Sequence, residues 1–222
     1  ASFVQAILVG LINLVFTILA IALIDRLGRK PLLVVGMTGI AICMFILSYS
    51  FSTATYTLTP ETVSSLPVEI DQTALGALVG KTFDSDLAYK TELHTALGES
   101  GQAFESELIT AAITMNPTLV LIGILGFVAS FAISIGPVMW VLFSELFPNK
   151  IRGLAISFVG LINSAISFLV QLVFPWELAN FGSATTFLIY GVFGALGLIF
   201  IILVVPETKG KSLEELEAQL VK

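Results

Sequence analysis

The chain has 222 residues, 56% of them hydrophobic and only 12% charged, with mean hydropathy +0.99 and a formal net charge of −6. Soluble domains carry about a quarter of their residues as charges, so this composition excludes an ordinary water-soluble globule. A single cysteine, Cys43, and a single histidine, His94, exclude a disulfide framework and a histidine-rich metal site.

Taken in order, five segments near 3–24, 32–52, 118–144, 154–175 and 184–205 are apolar and long enough to cross a bilayer as helices. The first carries Asn13 and Thr17 on one face near its middle. An amide donates and accepts at once, which suits a neutral polyhydroxyl ligand. The connector 25–31, "DRLGRKP", holds Asp25, Arg26, Arg29 and Lys30, with Gly28 for a tight turn and Pro31 to open the next helix. The segment 53–117 is a long acidic loop, with nine Asp and Glu against two lysines, and patches such as "LAYKTELHTAL" and "FESELITAA" fit short helices. It reads as a solvated cap on the outer side.

The third span ends in "SIGPVMWVLFSELFPNKIRG". Gly136 and Pro137 predict a helix break, because proline lacks a donor and frees the carbonyl four residues earlier. Gly123, Gly126, Ser130 and Ser134 give the same span a face of small residues. Trp140 lies one turn past the break, and Glu145 closes the span. The fourth span repeats polar side chains at Asn163, Ser167 and Gln171, a stripe along one side of a helix. Helix–helix hydrogen bonding and the wall of a watery cavity are both readings of that stripe. In the fifth span Gly191, Gly194 and Gly197 predict close helix packing. The tail 206–222 ends in "SLEELEAQL", a short amphipathic helix capped by Ser212 with Glu215 three residues on.

The connector 25–31, "PNKIRG" and the tail hold eight of the ten basic residues. The positive-inside rule makes these three cytoplasmic. The chain then starts outside, crosses five times and ends inside. Asp25, Arg26, Arg29, Glu145, Arg152 and Glu207 stand at the inner helix ends, where carboxylates and arginines form bidentate networks. No nucleophile–base pair or metal cluster lies in the spans, so an enzyme, a cofactor and a nucleic-acid partner are not expected.

Three of these stretches resemble signatures of the sugar porter family of the major facilitator superfamily. "DRLGRKPLL" resembles D-R-x-G-R-[RK], "GPVMWVLFSELFPNKIRG" resembles G-P-x-x-W…E-[IL]-F-P…R-G, and "VPETKGKSLEELE" resembles P-E-T-K-G. The resemblance implies an all-α membrane protein of twelve helices in two halves, this chain supplying helices eight to twelve, most of the C-terminal half. The chain would then be a C-terminal fragment whose partner is the missing N-terminal half of the transporter. The implied function is transport of a monosaccharide by alternating access, as uniport or proton symport, in a plasma or cell inner membrane. A non-transporting membrane scaffold and a sugar sensor on the same fold are the alternatives. Trp140 matches the family's sugar-facing tryptophan, Asn13 a sugar-contacting asparagine of the eighth helix, and Asn163 a polar cavity position. Ser164 and Ala132 depart from a tryptophan and an acid that some members carry. The six inner charges match the family's cytoplasmic charge network, with Glu145 and Arg152 as an inner latch.

Overall fold

The computed structural model describes residues 2–64, 66, 70, 72–98, 101, 103–211 and 215–216. The helix N-cap expected at Ser212 lies outside them. The chain is mostly helical. In order it forms α1 (Ser2–Leu27), α2 (Arg29–Ser52), β1 (Thr55–Thr57), α3 (Pro60–Ser64), α4 (Gln72–Leu75), β2 (Thr82–Phe83), α5 (Asp86–Leu97), α6 (Glu105–Ala112), β3 (Ile113–Thr114), α7 (Pro117–Ile133), α8 (Ile135–Leu146) and α9 (Arg152–Val204).

Among the described residues, four helical runs are long and apolar enough to cross a membrane: Val4–Leu27, Arg29–Ser52, Pro117–Leu146 and Arg152–Val204. Apolar residues cover most of the surface of these helices, the pattern of helices that do not lie against water. Their ends follow local chemistry. Gly28, at φ 101°, separates α1 from α2. Asn116 accepts the Thr118 N–H at 3.0 Å, ahead of Pro117 at the first helical position of α7. The fourth and fifth expected spans lie in one 53-residue run that loses helical geometry at Gly182 (φ 74°, ψ 165°).

The chain divides into two compact units. One comprises 1–45, 121–174 and 189–222, and its core holds Ile24, Leu32, Leu33, Val138, Leu142 and Ile201. Close backbone approach builds it. A Cβ at Gly36 would stand 1.8 Å from Ser134 Oγ, and one at Gly39 2.2 Å from Ser130 Oγ. The small face predicted on the third span therefore seats α2. The glycine stripe of the fifth span also packs on α2. A Cβ at Gly191 would meet the Phe45 ring at 2.9 Å, at Gly194 Ala41 Cα at 3.3 Å, and at Gly197 Met37 Cε at 2.5 Å.

The interruption expected at Gly136–Pro137 falls earlier, at Ser134 (φ −129°, ψ −97°), which separates α7 from α8. Gly136 and Pro137 belong to the first turn of α8. The N–H groups of a first turn have no intrahelical partner, so the missing donor of Pro137 costs little there. The Ser134 hydroxyl turns back to the Ser130 carbonyl, and Val138 N–H resumes the ladder on the Ser134 carbonyl at 2.9 Å.

The second unit comprises 46–120 and 175–188. Here an all-α description needs correction, because the acidic loop folds around a three-stranded antiparallel sheet of order β2-β1-β3. Tyr56 pairs with Phe83 on one side and Ile113 on the other. Strands of two or three residues are too short to show alternation, so the sequence pattern hides them. Tyr56, Leu58, Ile70, Tyr89, Leu93 and Leu108 fill a dry core beneath the sheet. Tyr89 stacks on Tyr56 and donates its hydroxyl to the Leu108 carbonyl at 3.1 Å. Ser85 caps α5 by accepting the Ala88 N–H, and Glu105 ties α6 to α5 through Lys90 and His94.

Gly36→Ala is expected to lower stability by about 1–3 kcal/mol through overpacking, read as thermal unfolding in detergent. Gly10→Ala is the control, since a Cβ there meets nothing within 4 Å. Equal behaviour of the two variants would refute the α2–α7 contact.

A second expectation concerns alkaline pH. Burial pushes the Tyr56 phenol up to about 12, with the Asp86 charge adding to the rise, and burial pushes Tyr89 up to about 12. An exposed phenol ionises near pH ~10. Between those values the unfolded chain has lost protons that the folded unit keeps. The stabilising contribution is whole below pH ~10 and is lost as pH rises through about 12. Tyrosinate absorbance and unfolding should therefore rise together in that window, and Tyr89→Phe should reduce the loss.

Candidate functional site

Two groups of side chains in the first unit carry the polar chemistry. One gathers at the helix ends around the α1–α2 turn. Arg29 opens α2, and its Nε and Nη2 donate to the Glu145 carboxylate at the end of α8, at 3.1 and 2.6 Å. Both side chains are largely withdrawn from solvent, at 13% and 20% exposure. Thr208 completes the carboxylate by donating its hydroxyl at 2.6 Å. The remaining Arg29 nitrogen, Nη1, donates to the Ile24 carbonyl at 3.2 Å and pairs with Asp25 at 3.1 Å. Asp25 is 80% exposed, so its pairing with Arg29 contributes little.

Glu207 has a different partner from the one its charge suggests. Its carboxylate accepts the backbone N–H groups of Arg29 and Lys30, both at 3.1 Å, and that of Lys209 at 2.9 Å. It thus caps the N-terminus of α2 from 178 residues away, where a negative charge also meets the positive end of the helix dipole. A Cβ on Gly28 would lie 2.6 Å from Glu207 Oε2, so both the positive φ and the space demand glycine. The cations do the converse at helix C-termini. Lys30 Nζ donates to the Ile202 carbonyl at 2.8 Å, and Lys209 Nζ donates to the carbonyl of Arg26, whose own side chain is exposed. Arg152 Nε donates to the Phe147 carbonyl at 3.2 Å. Among the described residues it pairs with no carboxylate, so Arg29 and not Arg152 is the partner of Glu145.

The second group comprises the expected ligand side chains. Trp140 on α8 is exposed, stands edge-on to Phe143 with ring centroids 6.1 Å apart, and lays its ring edge against Gly160 of α9. A Cβ on Gly160 would be 3.8 Å from Trp140 Cη2. Asn163 follows one turn along α9 and is exposed, as are Ser164, Ser167 and Gln171. Trp140 therefore stands beside the polar stripe of α9. Asn13 is exposed on α1, which runs against α8. Among the described residues no hydrogen bond joins Asn13, Trp140 and Asn163, and no group of His, Cys, Asp and Glu could hold a metal ion. Nothing in this geometry activates a nucleophile. It offers aromatic faces and amides to a ligand, and charge pairing to helix ends.

With this geometry in place, the relatives fall into line. A family model described as "Sugar (and other) transporter" matches residues 1–66 and 98–220. The chain belongs to the sugar porter family. Family members are membrane transporters and not enzymes. The D-xylose-proton symporter of Escherichia coli (strain K12) is 35% identical over 98% of this chain and 33% of its own length. The arabinose-proton symporter of Bacillus subtilis (strain 168) is 31% identical over 100% of this chain and 35% of its own length. The facilitated glucose transporter member 10 of Xenopus tropicalis is 30% identical over 95% of this chain and 42% of its own length. This chain thus spans roughly a third of the curated relatives. A structure of the major facilitator proton:xylose symporter XylE bound to 6-bromo-6-deoxy-D-glucose superposes with TM-score 0.66 at 34% identity, covering 98% of this chain and 34% of that one. An inward-open XylE from E. coli gives TM-score 0.64 at 33% identity, covering 97% of this chain and 35% of that one. The fold of a multi-pass major facilitator protein follows from these similarities.

Residue types alone did not reveal Thr208 and Lys209 as members of the inner cluster, nor that Lys30 acts on a backbone carbonyl. A threonine between Glu207 and Lys209 was the available signal, because a hydroxyl there can reach whatever the neighbouring charges reach.

Removing either partner of Arg29–Glu145 is expected to destabilise the protein by about 2 kcal/mol, as a charged hydrogen bond is lost within a shielded cluster. Chemical unfolding of Arg29→Ala, Glu145→Ala and the double variant should show a coupling of about 1 kcal/mol or more. Arg152→Ala paired with Glu145→Ala should give additive effects. Coupling in the second pair and additivity in the first would reverse the assignment.

Proposed function

We propose that this chain is the C-terminal part, helices eight to twelve, of a twelve-helix transporter that carries a monosaccharide by alternating access. The observation that carries this reading is Trp140, an exposed aromatic face set against Gly160 at the head of the Asn163 stripe. An aromatic ring stacks on the apolar face of a sugar while amides exchange hydrogen bonds with its hydroxyls. Asn13, Trp140 and Asn163 are the proposed sugar contacts. The relatives' names, xylose and arabinose symporters and facilitated glucose transporters, support a monosaccharide and leave uniport and proton symport both in play.

Five crossings rest on the length of α9. Its 53 residues would extend ~80 Å as one straight helix, against a hydrocarbon core of ~30 Å. The loss of helical geometry at Gly182 divides the run into two lengths that each span the core. Basic residues at 25–31, 150–152 and in the tail 206–222 favour the cytoplasm for those segments, with 53–117 and the N-terminus of this chain outside. In this reading the lipid bilayer covers the outer apolar faces, and the N-terminal half covers the faces bearing Asn13, Trp140 and Asn163. The cluster of Asp25, Arg26, Arg29, Glu145, Arg152 and Glu207 ties helix ends on the inner side. Ser134, Gly136 and Pro137 supply the bend through which α8 moves. A ligand shifts the balance of inward and outward states only by its differential affinity for them.

In the full-length transporter, Trp140→Ala and Asn13→Ala should each weaken sugar uptake about tenfold, equivalent to ~1.4 kcal/mol of binding, with surface expression unchanged. Uptake at the parental level in both variants would overturn the site. Residues 1–222 alone in liposomes should carry no sugar, and flux from them alone would overturn the two-half reading.

A further inference from the structure

The second unit contains a carboxylate that the transport reading does not use. Asp86 is the first residue of α5 and is only 6% exposed, although it lies in the most acidic stretch of the chain. Its Oδ2 accepts the backbone N–H of Ser183 at 2.7 Å and the Ser183 hydroxyl at 2.6 Å, while its Oδ1 accepts the Leu87 N–H at 2.9 Å. Ser183 is the first residue after the break at Gly182, so it begins the second length of α9 and its N–H has no intrahelical acceptor.

The break is shaped around this carboxylate. Gly182 has φ 74°, which side chains rarely adopt, and a Cβ there would lie 2.6 Å from Asp86 Oδ1. Thr186 donates its hydroxyl back to the Gly182 carbonyl at 2.8 Å, and Ser48 at the end of α2 donates to the Ala184 carbonyl at 2.8 Å. Phe51 stacks on Phe187 with centroids 5.4 Å apart. Ser48 and Phe51 of α2 and Asp86 of α5 thus converge on residues 183–187, and the charged one of the three comes from the folded loop.

We infer that the folded loop is a brace, with Asp86 acting as an N-cap supplied from a distant part of the same chain to the second length of α9 and fixing the Gly182 turn. An anionic cap at a helix start satisfies an orphan donor and favours the dipole. A loop with this role must keep its own core to hold the carboxylate in place, which accounts for a sheet and a dry interior in a segment that otherwise only connects two spans. The inference stands apart from the identity of any substrate.

Amide hydrogen exchange on the full-length protein tests it. Asp86→Ala should raise exchange of the amides at 183–186 tenfold or more while α6 keeps its protection. Ser183→Ala retains the backbone bond and should raise it less. Glu92→Ala, on an outward position of α5, should leave it unchanged. Gly182→Ala attacks the same contact from the other side and should reproduce the Asp86→Ala pattern without disturbing α5 and α6. That second variant decides the matter if Asp86→Ala unfolds the loop. Unaltered exchange at 183–186 in Asp86→Ala, or in Gly182→Ala, overturns the brace.

Discussion

Each helix end leaves backbone amides or carbonyls without partners inside the helix, and they must be met from outside it. The first unit meets much of that constraint around the α1–α2 turn. Glu207 receives the amides that open α2, Lys30 and Lys209 reach carbonyls that close α9 and α1, and Arg29 serves a carbonyl of α1 while it holds Glu145. Charge here is used less to attract opposite charge than to finish helices. The geometry explains why the signature segments are short and polar although 63 to 183 residues separate the groups that meet. The first and third supply groups that other backbone lacks, and the second supplies the carboxylate that their Arg29 and Thr208 side chains share.

The same constraint separates what could be read in the residues from what could not. Membrane-length apolar runs are visible from composition alone, and the glycines at 191, 194 and 197 announced a close helix contact that the structure places on Phe45, Ala41 and Met37. Charges at helix ends were visible as a group, but their pairing was not. Glu145 has Arg29 as its partner because α2 begins beside the end of α8, and sequence spacing does not encode that adjacency. Glu207 lies on backbone amides, which have no letter in a sequence. The shift of the interruption from Pro137 to Ser134 has a similar origin. Proline marks where a helix can start cheaply, and the residue that actually leaves helical geometry is the one before that new start.

The loop between the second and third expected spans illustrates the converse. Its acidity and polar patches describe a surface, and they conceal a core of Tyr56, Leu58, Tyr89 and Leu93 closed by strands too short to betray themselves. Buried tyrosines with raised phenol ionisation are the chemical trace of that core.

The family match is interrupted between residues 66 and 98, and Asp86 falls in that interval while Gly182 and Ser183 lie in the matched part. The hydrogen bonds between them join the segment that the family model passes over to the part that it matches. Anyone grafting this loop onto a cousin, or trimming it to aid crystallisation, is handling a joint rather than a decoration. The glycine–serine pair must travel with the aspartate, or the recipient is left with a kinked rod and no counterpart to set its angle.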